Sequence, residues 1–273
     1  MKFDMPIFCV DCETGGDVNG RPQMIEIAGL RVEPDLKMSF YETLVRNEFP
    51  VDPQSSAIHQ LRDEDLADGV SAMDAVSEIL KLGEDAVWVL FNSPYDLGVI
   101  GGQINEELKE LASGVIALDA YRLSVHCWPN SPSHKLHSIY HQLGLPREKN
   151  IHRAGPDVRI TCQILRQISK QMNCWETARL LDIANCPLPI TQMKFGKHIG
   201  QPLSEIPVDY FDWWLNKRAP GPDENYDLNY AMAAELRSRG VDINVEQYRN
   251  VAIASASKWS TPFVNLSSTA QLG

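Results

Sequence analysis

An apolar run at residues 6–10 leads directly into Asp11-Cys12-Glu13, and this juxtaposition restricts the fold more than any other stretch of the chain. A run that short and that apolar reads as a buried strand beginning almost at the N-terminus. Alternate residues of a strand share a face, so Asp11 and Glu13 project together and Cys12 points away. Two carboxylates so placed repel by roughly 4 kcal/mol at an effective dielectric near 20. No Arg or Lys stands near them in the sequence, so a divalent cation with oxygen ligands is the natural counter-charge. Taken alone, the pair also reads as ordinary acids at a strand end before the Gly15-Gly16 turn. Its weight comes from two further acidic stretches downstream.

Residues 86–91 read as a second buried strand, followed by Asn92-Ser93-Pro94-Tyr95-Asp96. Ser93 suits an N-cap and Pro94 the first helical position. Asp96 then falls in the first turn of a helix at the carboxyl end of a strand, where α/β folds place ligand sites. An acid there also complements the helix dipole without any metal. The third stretch is Ile151-His152-Arg153-Ala154-Gly155-Pro156-Asp157, beyond which Val158, Thr161, Cys162, Leu165 and Ile168 recur at helical spacing. Asp157 stands near that helix start, and His152 lies on the loop before it. An imidazole in that place suits a general base, because its ordinary pKa is near neutrality.

Together these stretches resemble the three motifs of the DEDDh (DnaQ-like) 3′→5′ exonucleases. They are Asp11-x-Glu13-Thr14-Gly15, Asn92-x-x-Tyr95-Asp96 and His152-Arg153-Ala154-x-x-Asp157, in that order. Met24-Ile25-Glu26-Ile27-Ala28 resembles the family's second strand, the stretch from Pro53 to His59 its approach to the first helix, and Leu118-Asp119-Ala120 a later strand. The resemblance spans about residues 6–172. It departs at Phe91 and Tyr95, where the family usually has His and Phe. It departs again at Gly155-Pro156, which replace bulkier residues and are expected to start the helix later and shift Asp157 slightly. The fold implied is α/β and ribonuclease H-like: a mixed sheet flanked by helices, its first three strands an antiparallel meander. The activity implied is metal-dependent, with two Mg²⁺ held by Asp11, Glu13, Asp96 and Asp157, Asp11 bridging, and Mn²⁺ able to substitute. His152 would deprotonate the attacking water, and Thr14, Gly15, His59 and Asn92 would meet the substrate. Nucleoside 5′-monophosphates would leave from a free 3′ end.

Composition adds bounds. A chain of 273 residues with 44% hydrophobic and 22% charged residues suits a soluble globular domain plus an appendage. No run of ~18 apolar residues suggests a membrane span, and Asp4 interrupts the start where a signal-peptide core would lie. A cytoplasmic location is the expectation. Cys9 and Cys12 have Cys-x-x-Cys spacing, but residues three apart on a strand face opposite sides, so zinc is disfavoured and reduced thiols are expected. The net charge of −11 falls almost wholly on the first 193 residues. Such a chain lacks a broad grip on phosphates, which favours short contacts with a strand end and distributive cleavage.

Residues 174–184 look helical, and Cys186-Pro187-Leu188-Pro189 reads as a linker. The stretch from Met193 to Leu203, then Tyr210-Phe211-Asp212-Trp213-Trp214-Leu215, parses as a two-stranded turn followed by an aromatic helix. It resembles the small C-terminal module of the exodeoxyribonuclease X branch of the family, which implies DNA with a free 3′ end as the partner, RNA being possible. Tyr210, Phe211, Trp213 and Trp214 are expected to form a mini-core, and Lys194 and Lys197 to contact phosphates. The expected organisation is an exonuclease domain at 1–185, the small module at 186–240 and a loosely ordered tail at 241–273. The function read from this is a 3′→5′ exodeoxyribonuclease. The alternatives are an exoribonuclease that trims RNA and a nucleic-acid-binding accessory protein with weak nuclease activity.

Overall fold

A computed structural model of the chain describes residues 2–146, 148–150, 152–218 and 225–264. Ile151 of the third motif, residues 219–224 of the expected module and residues 265–273 of the expected tail lie outside the described residues. The chain opens with a meander of β1 (Ile7–Val18), β2 (Arg21–Val32) and β3 (Met38–Leu44), then α1 (Pro53–His59), α2 (Asp63–Leu66) and α3 (Ala72–Leu82). Next come β4 (Val87–Leu90), α4 (Ser93–Gly101), α5 (Lys109–Ser113), β5 (Ile116–Asp119) and α6 (Ala120–Cys127). Helices α7 (Leu136–Gln142), α8 (Ala154–Met172) and α9 (Thr177–Asn185) complete this part, and α10 (Val208–Asp212), α11 (Tyr226–Ser238) and α12 (Val245–Ser257) follow.

The five strands form one mixed sheet in the order β3-β2-β1-β4-β5. β1 pairs antiparallel with β2 and parallel with β4, so it is the central strand and is covered on both faces. Its side chains alternate between two cores. Ile7 and Cys9 join Val87, Val89 and Leu118 under α6, α8 and α9, whereas Phe8 and Val10 join Trp88 and Leu90 under α3 and α4. Each large side chain fully buried in this way contributes roughly 1.5–3 kcal/mol. The same alternation sends Asp11 and Glu13 toward α8 and Cys12 into the opposite core. Cys9 and Cys12 therefore sit on opposite sides of the sheet, as their spacing on a strand requires. Gly83 permits the close approach of β4, since a Cβ there would lie 2.5 Å from the Phe8 and Trp88 rings.

The C-terminal region differs from its sequence reading in three ways. The expected two-stranded turn reduces to a single bridge between Gln192 and Pro202, with 3₁₀ turns at Gly196–His198 and Leu203–Glu205. The aromatic helix is split into the short α10 and a π-helical turn, Trp213–Lys217. Its mini-core is built on Phe211, Ile206, Leu203, Met193, Leu228 and Met232, with Tyr210 and Trp214 packed alongside, while Trp213 is exposed. Leu228 and Met232 come from α11, an element the sequence reading does not place.

The stretch expected to be loosely ordered contains α12, which packs against α11 and α9. Beyond it, Trp259 and Phe263 enter the core on the α3 side of the sheet, and the Ser260 carbonyl accepts a 2.9 Å hydrogen bond from the Ala117 amide on edge strand β5. An Ala- and Ser-rich composition conceals this docking. The module itself is tied to the sheet domain through Arg122, whose guanidinium donates to both Asp227 carboxylate oxygens at 2.7 and 3.1 Å and to the carbonyls of Ala184 and Cys186.

Candidate active site

The site lies where the parallel pairing of β1 with β4 ends and α4 and α8 begin. β1 supplies Asp11 and Glu13 just before its pairing with β2 slips at Thr14. Asp157 projects from the first turn of α8, and a ligand oxygen from each of Asp11, Glu13 and Asp157 falls within 4.8 Å of the others. Helix α8 starts at Ala154, ahead of Gly155 and Pro156, so this pair does not delay it as expected. The space beside Gly155 belongs to Glu42 of β3, whose carboxylate fills the position a Cβ would take.

Asp96 does not join this trio. Its Oδ1 accepts hydrogen bonds from the Cys12 amide and the Cys12 thiol, both at 3.1 Å, which turns it toward the backbone between Asp11 and Glu13. Asn92, not Ser93, caps α4, in a left-handed conformation with φ of 70°. Ser93 is the first helical residue and donates to Asp119, which also accepts from the Asn92 and Tyr121 amides. Asp119 thus holds the turn that carries the second motif.

Crowding of carboxylates governs the electrostatics. Burial, then the charges of Asp96, Glu13, Asp157 and Glu26, push the Asp11 carboxyl well above its ordinary range. Glu13 is pushed up to about 8, by burial first and then by Asp157, Glu26 and Asp96, with Arg153 opposing. Asp96 is raised to about 6 by burial, against the lowering effect of its bonds from Cys12. Glu26, the direct cross-strand partner of Glu13, is almost fully buried. It is engaged by Arg153 through Nη2 at 2.5 Å and Nε at 2.9 Å and by the Ala154 amide at 3.0 Å. The hydrogen bonds of that cation go to Glu26, so it opposes the crowding at Glu13 only at a distance, and without a metal the trio is driven toward its protonated forms.

His152 adopts a left-handed turn, φ 67°, with its ring exposed. Burial of part of the ring, and then His137, lower its pKa, which keeps the imidazole neutral near pH 7 and able to accept a proton. His137 on α7 packs edge-on against it, ring centroids 4.2 Å apart, and its Nε2 lies 2.9 Å from Asp157 Oδ1.

The expected substrate contacts divide. Thr14 Oγ1 shares a 2.7 Å hydrogen bond with the exposed Tyr95 hydroxyl at the rim, and the Gly15 carbonyl accepts from the Asp52 amide. Asn92 and Lys194 line one cleft of about 700 Å³, open between the start of α4, the end of β5 and the C-terminal module. Lys197 lies over the Tyr210 ring at 5.0 Å. His59 is 3% exposed; its Nδ1 accepts from the Leu61 amide and its ring abuts the Thr14 backbone. Its burial and these two contacts place it beneath β1. Glu26, Asp119 and His137 carry no role in the sequence reading. An acid inside the apolar run 24–28 is the one available signal, for Glu26.

A ribonuclease H-like sheet with clustered carboxylates at its central strand and an imidazole on the adjoining turn defines a nuclease class. The RNase_T exonuclease family profile matches residues 8–165. The chain belongs to that family and is a DnaQ-like 3′→5′ exonuclease. Exodeoxyribonuclease 10 of Escherichia coli K12 is 26% identical over 216 residues, covering 76% of this chain and 89% of the relative. The 3′-5′ DNA exonuclease Cap18 of Escherichia coli is 27% identical over 184 residues, covering 62% and 95%. Among solved structures, Exonuclease X in complex with 5′ overhanging duplex DNA superposes with a TM-score of 0.52 at 24% identity, covering 65% of this chain and 99% of that one.

Proposed function

We propose that the protein is a metal-dependent 3′→5′ exodeoxyribonuclease that releases nucleoside 5′-monophosphates from DNA 3′ ends. The observation that carries this reading is the carboxylate trio of Asp11, Glu13 and Asp157, crowded within ligand distance while the hydrogen bonds of the nearby Arg153 go to Glu26. An all-oxygen donor set of that charge fits hard divalent cations, Mg²⁺ first and Mn²⁺ as a substitute. Asp11, Glu13 and Asp157 would hold them, with Asp96 completing the set from the α4 side. The chemistry two such cations supply is activation of a water and stabilisation of the leaving 3′ oxygen.

The protein's own groups do the rest. His152 Nε2 or Nδ1 takes the proton of the attacking water, and the exposed ring stands beside Asp157 with solvent on one side. Tyr95 and Thr14, joined at the rim, together with Gly15 and Asn92, orient the terminal nucleotide. Residues 1–185 form the exonuclease domain, and 186–240 a module whose Lys194, with Lys197, meets the strand behind the 3′ end. DNA as substrate is supported by the likeness to the two named DNA exonucleases. A cytoplasmic setting and DNA repair belong to the same reading. The test is chromatography of the products formed from a defined DNA strand with Mg²⁺: 5′-mononucleotides are expected from the first turnover. Internal fragments or 3′-phosphates would reject the proposal.

A further inference from the structure

Next to the carboxylate trio stands a second donor set that the proposed hydrolysis does not require. One ligand atom each from His137, His152 and Asp157 lies within 4.8 Å of the other two. The three come from separate segments: the half-buried first turn of α7, the exposed turn before α8, and the buried first turn of α8. A tetrahedral ion with bonds of about 2.0–2.1 Å sets neighbouring donors roughly 3.3 Å apart. His137 Nε2 and Asp157 Oδ1, at 2.9 Å, are already that close, and a ring nitrogen of His152 within 4.8 Å of both has at most about 1.5 Å to close. The exposed side of His152 leaves a path for the ion and room for a water as fourth ligand.

Ligand chemistry distinguishes this set from its neighbour. Two imidazoles and one carboxylate suit a late first-row ion, whereas Mg²⁺ favours oxygen ligands and keeps its waters. We propose that His137, His152 and Asp157 form an inhibitory binding site for Zn²⁺ or an ion of its class. Occupation removes the His152 lone pair from proton transfer and draws Asp157 away from the carboxylate trio. The inhibitory consequence rests on the exonuclease reading above; the binding does not.

Cobalt(II) is the probe for binding, because its visible ligand-field absorption reports coordination without any turnover. The experiment titrates Co²⁺ into the full chain in the presence of excess Mg²⁺ and then displaces it with Zn²⁺. Intense visible bands at one equivalent are expected in wild type and in Asp11→Ala, which leaves this donor set whole. They should be lost in His137→Ala and His137→Gln. Removing even an outer-shell partner typically costs about 10–100-fold in metal affinity, so loss of His137 as a ligand should weaken binding by at least about 100-fold. Circular dichroism confirms that each variant is folded. If His137 merely orients Asp157, its removal changes the cleavage rate and leaves the Co²⁺ spectrum intact, which overturns the site. Thiolate charge-transfer bands would assign the ion to cysteine and overturn it equally. In the activity arm, Zn²⁺ far below the Mg²⁺ concentration should slow wild type and spare His137→Gln, each measured against its own zinc-free rate. Equal inhibition of both overturns the inhibitory role. Absence of cleavage by any form rejects the exonuclease reading instead, with the site decided by the spectra.

Discussion

Asp11 and Glu13 are held together by a sheet that gains nothing from them electrostatically. Glu13 is raised to about 8, so the metal-free fold favours its neutral form. A carboxyl raised in this way stabilises the fold fully below its ordinary pKa of about 4.3, and that contribution is lost as pH climbs through about 8. Asp11 and Asp96 shift in the same direction. Melting in chelator should therefore fall in temperature between pH 5 and 8, and Mg²⁺ should restore it most at pH 8. A chelated protein that gains stability over that interval contradicts the assignment. Asp11→Ala should abolish cleavage and melt higher than wild type in chelator, since it relieves repulsion. His152→Ala should lose about 10²–10⁴-fold in rate, the usual contribution of a general base, while stopped assays still detect slow product. Asp11, Glu13, His152 and Asp157, which the structure brings near one another, can be picked out of the sequence because each motif is local, a few residues on one strand or helix start; the turn of Asp96 toward Cys12 cannot. Nor can Glu26, Asp119 and His137, because cross-strand register and helix packing, not sequence spacing, bring them to the site.

At the scale of elements, the start of α8 depends on a buried ion pair. Glu26→Gln would leave Arg153 and the Ala154 amide with weakened acceptors. Removing one partner of such a pair costs about 3–5 kcal/mol when both are buried, and Arg153 is partly exposed, so about 2–3 kcal/mol is expected in urea unfolding. The same variant should lower the cleavage rate, because Arg153 sits between His152 and the helix that carries Asp157. β1 and β4 can be read from their apolar runs and α8 from its helical stripe, whereas the largely exposed β3 offers no such run. α12 cannot be read either: its one fully buried residue is Ala252, and its stability comes from α9, α11 and the docking of Trp259 and Phe263. Phe263→Ala should accordingly cost roughly 3–5 kcal/mol, as buried aromatics do, whereas a loose tail would show no change.

Across the whole molecule, the Arg122–Asp227 link makes the C-terminal module one wall of a cleft that reaches from Asn92 to Lys194. An acidic protein of net charge −11 binds phosphates only where local cations are offered. Replacing Lys194 and Lys197 with Gln should reduce the slope of log affinity against log salt by up to about 1.4, taking ~0.7 for each single-strand contact. Lys197, already over Tyr210, is the weaker contributor, so a single Lys194→Gln variant should carry most of the change. One time course decides the activity: a 5′-labelled DNA strand and its RNA counterpart, incubated with the purified protein in Mg²⁺, in chelator, and with Asp11→Ala. A ladder that shortens one nucleotide at a time from the 3′ end of the DNA, present only with wild type and Mg²⁺, is expected from metal-dependent 3′→5′ cleavage of DNA. A ladder that persists in chelator or with Asp11→Ala, or that forms faster on RNA than on DNA, would contradict it.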